Sequence, residues 1–436
     1  MEYVVEDISP VKKKVNVSLD AEEVNAAIAA SVAVYRTSVQ LDGFRKGKAP
    51  ASVVEKRFRD KIYQEAKQDL FNVHINEVLQ AGGFAPVSGI ELDGGELTRD
   101  EALNYSFSFE ILPEFEIPAY EGMEAEQEKA VVDPNEVQLV IDRIRRDKST
   151  LHPVDGNKPP VDGQVAVVSF EAFEDGKPVE GIKAQNFELS LGERQALEGF
   201  EELVKTIPLG EEKEGDISFP ADFINPELAG KTVSMRIRVH AVKERRLPEL
   251  DAAFAKSMGV EDMDKLREGI TASYRKNREN LHRAAAQKKL LDGLLKMVDF
   301  TLPESLVNLN VKSLLADMQG RLERQGKNLA ALGKQYEELR AEVLPEAESI
   351  TRAQVFLLCV ARKEKLEVSE QEIDNHLYQT AMRSGEDFHS LKDAYVKSGM
   401  IFHLRDRLLA DKAMEAMFAK VTIKEIEALK ELKPLA

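Results

Sequence analysis

The N-terminal part of the chain changes between two spacings of apolar residues, one typical of strands and one typical of helices. Residues 105–111 alternate apolar with polar side chains, which predicts a half-buried strand. Residues 51–79 place apolar side chains at helical spacing, which predicts a helix. Asp20 followed by Glu23 is typical of another helix start. We therefore predict an α/β domain over residues 1–112.

Prolines and then short apolar runs mark the next two segments. Pro113 and Pro118 interrupt the strand pattern, and Asp133 followed by a proline predicts a helix start. We interpret residues 113–151 as a linker that contains this helix. Residues 152–245 carry short apolar runs separated by glycine and proline turns, which predicts a small, strand-rich α+β domain.

Helical spacing dominates the rest of the chain. Apolar residues recur at helical intervals in several stretches, and Ser369 with Glu372 forms a capping-box pattern. Residues 246–436 are therefore predicted to form a largely α-helical domain. The whole chain is predicted to be a multidomain α+β protein, because 436 residues exceed what one hydrophobic core usually holds.

Composition narrows the class of protein. A formal net charge of -17 argues against a general nucleic-acid surface, and we expect no DNA partner. The single cysteine, Cys359, excludes an internal disulfide, suits a reducing cytoplasm and is predicted to be a buried small hydrophobe. The N-terminus lacks the pattern of a signal peptide and no apolar run reaches membrane-spanning length, so we expect a cytoplasmic protein without a membrane partner.

Residues that could hold a metal or a nucleotide do not come together in the sequence. The seven histidines are scattered, and neither His-Glu-x-x-His nor Cys-x-x-Cys occurs. Residues 326–334 superficially resemble a phosphate-binding loop, but the glycine spacing differs and Gln335 stands where serine or threonine is needed. We therefore expect no metal, no cofactor and no dependence on ATP.

One short segment carries most of the candidate chemistry. Residues 43–50 read Gly-Phe-Arg-Lys-Gly-Lys-Ala-Pro, and the two glycines permit a tight, protruding loop. From Arg45 to Lys61 the chain has seven lysines or arginines and two acidic residues, within an acidic protein. On the residues alone, a solvated basic turn and a loop that docks on a polyanion are both open.

The segment 43–50 resembles the ribosome-docking signature of the trigger factor family, bacterial chaperones that work at the ribosomal exit tunnel. The plan of docking domain, FKBP-like domain and helical C-terminal domain resembles that family along essentially the whole chain. The resemblance implies that the ribosome is a partner, through an exit-tunnel protein and ribosomal RNA. Cations would pair with phosphates, and the aromatic ring would fill an apolar pocket. The residues so implied are Gly43, Phe44, Arg45, Lys46, Gly47 and Lys48.

Residues 152–245 are similar to FKBP-like peptidyl-prolyl isomerases, in pieces such as Val168-Ser-Phe170 and Leu191-Gly192. Prolyl isomerisation must break amide resonance, a barrier of roughly 18–20 kcal/mol. An apolar pocket and a backbone N–H serve this reaction, and no nucleophile is required. The similarity implies a substrate pocket and catalytic site made of Phe170, Val179, Glu180, Phe187, Leu197, Phe200, Phe223 and Met235.

This pocket departs from the family pattern. Val179 and Met235 stand where phenylalanine is usual, and Phe223 stands where a tyrosine hydroxyl usually forms a hydrogen bond. Leu197 falls where an aliphatic residue supplies the backbone N–H, and Glu180 retains an acid beside the pocket. The alternative is that the phenylalanines are simply core residues. We expect a pocket that still binds proline-containing peptides, with weakened catalysis.

The helical domain carries the chaperone hypothesis. Its methionines are flexible and polarizable, which suits contacts with varied unfolded chains, although each one singly fits an ordinary core. We predict an ATP-independent chaperone that docks at the ribosomal exit tunnel, binds nascent and unfolded polypeptides, and carries prolyl isomerase activity. When the protein is not bound to the ribosome, its docking surfaces are exposed, and exposed apolar surfaces favour a homodimer.

Two alternatives use the same domains differently. A free-standing prolyl isomerase would use the helical region only to recruit substrates, and it would not need the basic loop. A periplasmic chaperone of related helical design would need a signal peptide, whose pattern the N-terminus lacks.

Overall fold

The protein forms two compact units. The computed structural model describes residues 1–45, 47–87, 89–154, 156–174, 176–193, 195–220, 223, 229–324 and 333–427. The first unit comprises Met1–Gln127 with Arg283–Ile426, and the second comprises Glu128–His282. Among the helices described, none combines the length and the apolar character that crossing a bilayer requires.

An antiparallel sheet covered by helices forms the N-terminal part of the first unit, with strand order β1-β2-β4-β3. Its elements are β1 (Glu2–Asp7), β2 (Lys12–Leu19), α1 (Ala21–Ser38), α2 (Ala51–Arg57), α3 (Arg59–Gly82), β3 (Glu91–Gly94) and β4 (Leu103–Glu110). The predicted helix start is confirmed, because the Asp20 side chain accepts a hydrogen bond from the Glu23 N–H at 2.8 Å. The predicted strand is confirmed as β4, whose Tyr105, Phe107 and Phe109 are buried in one cluster with the helices.

The single helix predicted over residues 51–79 is two helices. α2 ends and α3 begins on either side of Phe58, whose φ of -120° and ψ of 24° lie outside helical geometry. The Phe58 ring packs against the N-terminal core, with its centroid 5.8 Å from that of Tyr35. Apolar spacing continues across this break, so the period of the sequence does not reveal it.

The middle of the chain contains a five-stranded antiparallel sheet of order β6-β10-β7-β8, with β9 paired to β10. The elements from this region are β5 (Glu124–Glu128), α4 (Pro134–Asp147), β6 (Thr150–Pro153), β7 (Gln164–Glu174), β8 (Lys177–Ser190), α5 (Glu198–Val204), β9 (Glu212–Ser218), β10 (Thr232–Arg246) and α6 (Ala252–Ser257). As predicted, Asp133 caps α4 by accepting a hydrogen bond from the Asn135 N–H at 2.9 Å. One face of the sheet is buried in a cluster with α5.

Helices fill most of the remaining chain, as predicted. They are α7 (Met263–Leu295), α8 (Glu304–Glu323), α9 (Tyr336–Lys363), α10 (Glu370–Ser384), α11 (Phe388–Lys397) and α12 (Met400–Ala419), followed by β11 (Thr422–Ile426). The capping box predicted at Ser369 and Glu372 is present at the start of α10. The described side chains of α8 to α12 divide among three separate apolar clusters. Several small cores therefore hold this region together.

The extended segment after Pro113 contributes to the largest of these clusters. Tyr120 and Ala125 are buried in it, and β5 pairs with β11 from the far end of the chain. Cys359 lies in the same cluster, as a buried residue whose thiol donates to the Pro113 carbonyl oxygen over 3.7 Å. Its position confirms the predicted buried small hydrophobe, and burial raises the pKa of Cys359 to about 11, which keeps the thiol protonated.

A buried carboxylate joins the N-terminal sheet to α8 within the first unit. Glu110, at the end of β4, is 6% exposed. Its oxygens accept hydrogen bonds from the Glu304 N–H at 3.1 Å and the Ser305 N–H at 2.9 Å, and also from the Ser305 hydroxyl. Pro303 precedes the helix and supplies no side-chain cap. Glu110 therefore caps a helix that begins far away in the sequence.

Replacing Glu110 by alanine is expected to lower the free energy of unfolding by about 1–3 kcal/mol, because the partly buried N–H groups at the start of α8 lose their acceptor. Urea unfolding followed by circular dichroism would measure the change. Glu114→Ala is the matched control, since Glu114 is an exposed acid a few residues away. Equal stability of the two variants would contradict the capping role.

Candidate docking loop and prolyl pocket

The segment between α1 and α2 forms two consecutive turns. Gly43 has φ of 86° and Gly47 has φ of 77°, in the left-handed region that favours glycine. The Phe44 N–H donates to the Leu41 carbonyl oxygen at 3.1 Å, and the Lys48 N–H donates to the Arg45 carbonyl oxygen at 2.9 Å. The two glycines thus have the backbone role predicted for them.

Contacts on both sides hold this loop on the domain. The Arg36 Nε, in the last turn of α1, donates to the Gly47 carbonyl oxygen at 3.3 Å, and Ala49 is buried in the core. Between these anchors Phe44 is 38% exposed. Arg45 is exposed, and its side chain forms no hydrogen bond or ion pair with any described residue. The predicted site residue Lys46 lies outside the described residues.

Three predicted aromatic residues meet in the middle domain. The Phe170 ring centroid lies 5.1 Å from that of Phe200 and 6.0 Å from that of Phe187, with interplanar angles of 76° and 86°. These are edge-to-face contacts, which aromatic rings favour. Phe200 is 5% exposed and lies at the buried end of this group, whereas Phe187 is 41% exposed and lies at its accessible end.

Other predicted pocket residues surround this aromatic group. Met235 is buried in the same apolar cluster, and Val179, Leu197 and Phe223 are half-buried against it. The ring centroid of Phe223 lies 4.7 Å from that of Phe219, a residue that the sequence analysis did not assign to the pocket. The side chain of the predicted residue Glu180 lies outside the part of the chain that the structure describes.

The backbone of Leu197 fits the predicted hydrogen-bonding role. Leu197 immediately precedes α5, and its N–H donates to no described residue. A free N–H beside an apolar cup can hold a substrate carbonyl in place while the amide twists. The aromatic side chains can therefore exclude water from a bound peptide, and the Leu197 N–H can donate one hydrogen bond to it.

Sequence reasoning missed one polar residue beside this pocket. Glu201, in α5, is 6% exposed, and its side chain accepts a hydrogen bond from the Gly192 N–H at 3.0 Å. This contact ties the start of the loop before Leu197 to the helix that carries Phe200. An acid on a short helix usually faces solvent, so no local signal distinguished Glu201 from its neighbour Glu202.

Comparison with protein families identifies both regions. A family model described as FKBP-type peptidyl-prolyl cis-trans isomerase matches residues 156–241. Models described as bacterial trigger factor protein and its C-terminus match residues 1–144 and 262–419. Trigger factor from Nitratidesulfovibrio vulgaris strain Hildenborough is 59% identical over 428 residues, which cover 98% of this chain and 99% of that protein.

The chain belongs to the trigger factor family. It is a chaperone with an FKBP-type peptidyl-prolyl isomerase domain, which confirms the predicted fold class, function and enzyme class. The trigger factor of Oleidesulfovibrio alaskensis is 56% identical over 432 residues, covering 99% of both chains. A solved structure of the trigger factor chaperone aligns with 95% of this chain and 99% of its own, at 19% identity and a TM-score of 0.47.

Proposed function

We propose that this trigger factor docks near the ribosomal exit tunnel through the loop at 43–50, where it meets emerging chains. The observation that carries the proposal is the exposed Phe44 next to an unpaired Arg45, held between two glycine turns. An apolar anchor beside an unpaired arginine fits a surface of protein and RNA. Gly43, Lys46, Gly47 and Lys48 complete the proposed contact. Docking raises the local concentration of nascent chain, so weak client contacts suffice.

The isomerase site is proposed to bind a proline-containing segment in the cup. Phe200 would form the floor, Phe170 and Phe187 the walls, and the Leu197 N–H the donor to the substrate carbonyl. The half-buried side chains of Val179 and Phe223 and the buried Met235 are proposed to line the rest, together with Glu180. Without the additional aromatic rings and the tyrosine hydroxyl, the cup stabilises the twisted amide less, which supports weakened catalysis.

Client binding is proposed along the helical segments of residues 246–436. Met297, Met382 and Met400 are exposed, whereas Met417 is fully buried core. Exposed methionines and separate small clusters suit weak, adaptable contacts with unfolded chains. We also propose a cytoplasmic location and a homodimer when the protein is not bound to the ribosome. The proposed domain boundaries are 1–112, 113–151, 152–245 and 246–436.

Sedimentation with purified ribosomes at increasing salt tests the docking proposal. Three loop cations should give a slope of about -2.1 to -2.7 when the logarithm of the binding constant is plotted against the logarithm of the salt concentration, so that binding falls roughly twenty- to fortyfold between about 50 and 200 mM salt. Sedimentation of the protein without ribosomes is the control, because it measures how much of the protein forms dimers. A protein that stays in the supernatant at the lowest salt would favour the free-standing isomerase.

A further inference from the structure

A shallow groove runs between α1 and α3 on the surface of the N-terminal domain and encloses about 270 Å³. Small side chains, Ala30, Ser31 and Ala66, form part of its lining. The Ser31 hydroxyl donates to the Ile62 carbonyl oxygen at 3.2 Å, which shows how closely the two helices approach. Small residues therefore leave a recess between helices that are otherwise in contact.

Apolar side chains line this groove without being covered. Val34 is 62% exposed and Val73 is 53% exposed, and half-buried Leu70 lies between the two helices with them. A helix face of a folded domain usually keeps large apolar side chains against its core. Two exposed valines along one recess therefore mark a surface suited to a partner.

The groove leads to the docking loop. The ring centroids of Tyr35 and Phe58 are 5.8 Å apart, whereas Ser31, one turn earlier, contacts Ile62, so the helices run antiparallel and the end of α1 lies beside the start of α3. Val34 is thus at the end of the groove nearest the loop, since α1 ends one helical turn later at Ser38 and the loop begins at Gly43. Val73 lies toward the opposite end, farther along α3. One end of the groove therefore lies at the end of α1 from which the chain continues to the loop.

The charge of the groove is opposite to that of the loop. Glu65 and Asp69 line the groove, and none of its lining residues that the structure describes is a lysine or arginine. The Tyr35 hydroxyl donates to Glu65 Oε1 at 2.7 Å, which fixes that carboxylate at the loop end and raises the pKa of Tyr35. Carboxylates repel RNA phosphates and attract the lysines and arginines of proteins that coat RNA.

We propose that the groove between α1 and α3 is a second contact of docking, and that it receives a basic, amphipathic segment of a ribosomal protein. The inference rests on the proposed ribosome docking. The loop cations would face RNA, and the acidic groove would face protein, so the charge pattern also sets the orientation of the docked chaperone.

Ribosome affinity of full-length variants tests this. Val34→Ser should weaken binding about five- to tenfold with the salt slope unchanged, because only apolar contact is lost, and Val73→Ser should weaken it less. Val4→Ser is the matched control, since Val4 is also 62% exposed but lies on β1. Asp69→Lys should weaken binding as well, through repulsion of a basic segment.

Three results would overturn the inference. Equal affinities of the Val34→Ser and Val4→Ser variants would mean that the groove is outside the contact. Tighter binding and a steeper salt slope for Asp69→Lys would mean that the groove faces RNA. A Val34→Ser effect on self-association alone would assign the groove to a second copy. Loop variants that bind ribosomes normally would instead reject the docking proposal itself.

Discussion

Replacing Phe44, Arg45 and Lys46 together by alanine is expected to lower ribosome affinity by at least about 100-fold. The change removes an apolar anchor and two cations, and each lost phosphate contact also flattens the salt dependence by about one unit of slope. The fold should remain, because Phe44 is partly exposed and the Arg45 side chain contacts no described partner. Co-sedimentation with ribosomes, paired with a thermal melt, would measure both quantities.

The control for this loop variant is Phe402→Ala with Arg405→Ala. These residues form a similar exposed pair on α12, with the guanidinium of Arg405 5.6 Å from the Phe402 ring centroid. The control should bind ribosomes normally. Unchanged sedimentation of the triple loop variant, or an equal loss in the control, would show that the loop is not the docking site.

Replacing Phe187 by alanine is expected to lower kcat/KM for prolyl isomerisation about tenfold, which corresponds to about 1.4 kcal/mol of transition-state stabilisation. The variant removes an accessible wall of the cup and its edge contact with Phe170. Because Phe187 is 41% exposed, stability should change little, unlike truncation of the buried Phe200. A protease-coupled assay with a proline-containing peptide on the full-length protein would measure the rate.

A matched control for the pocket is Val161→Ala, an exposed apolar residue of the same unit that is 58% exposed. Its isomerase rate should equal that of the unchanged chain, and both variants should sediment with ribosomes normally. Full activity of the Phe187→Ala variant would place the substrate outside this cup. A rate in the unchanged chain equal to that of a fully aromatic isomerase pocket would contradict the expected weakening.

Local signals in the sequence predicted local structure well. The caps at Asp20, Asp133 and Ser369 lie where the sequence places them, because a cap needs only a side chain and a backbone N–H two or three residues away. The strand at β4 follows from alternation for the same reason. The break at Phe58 was missed, since it depends on how α2 and α3 pack and not on apolar spacing.

The candidate prolyl pocket also depends on contacts that the local sequence does not predict. Nothing in the spacing of Phe170, Phe187 and Phe200 shows that their rings meet, and only the resemblance to isomerases grouped them. Their contacts depend on the register of β7 with β8 and on the placement of α5. Glu201 was missed because its partner, the Gly192 N–H, belongs to a loop whose path the sequence leaves open.

By itself, the sequence determined the helix starts at Asp20, Asp133 and Ser369, the glycine turns around Phe44 and the family to which the chain belongs. These depend on backbone preferences and hydrogen bonds within a few residues, or on a motif read directly from the chain. Only the tertiary structure decided that Glu110 caps α8, that β11 pairs with β5, and that exposed Val34 lies beside a groove next to the loop. These contacts join residues far apart in the chain, and their free energy exists only after the whole fold has brought them together.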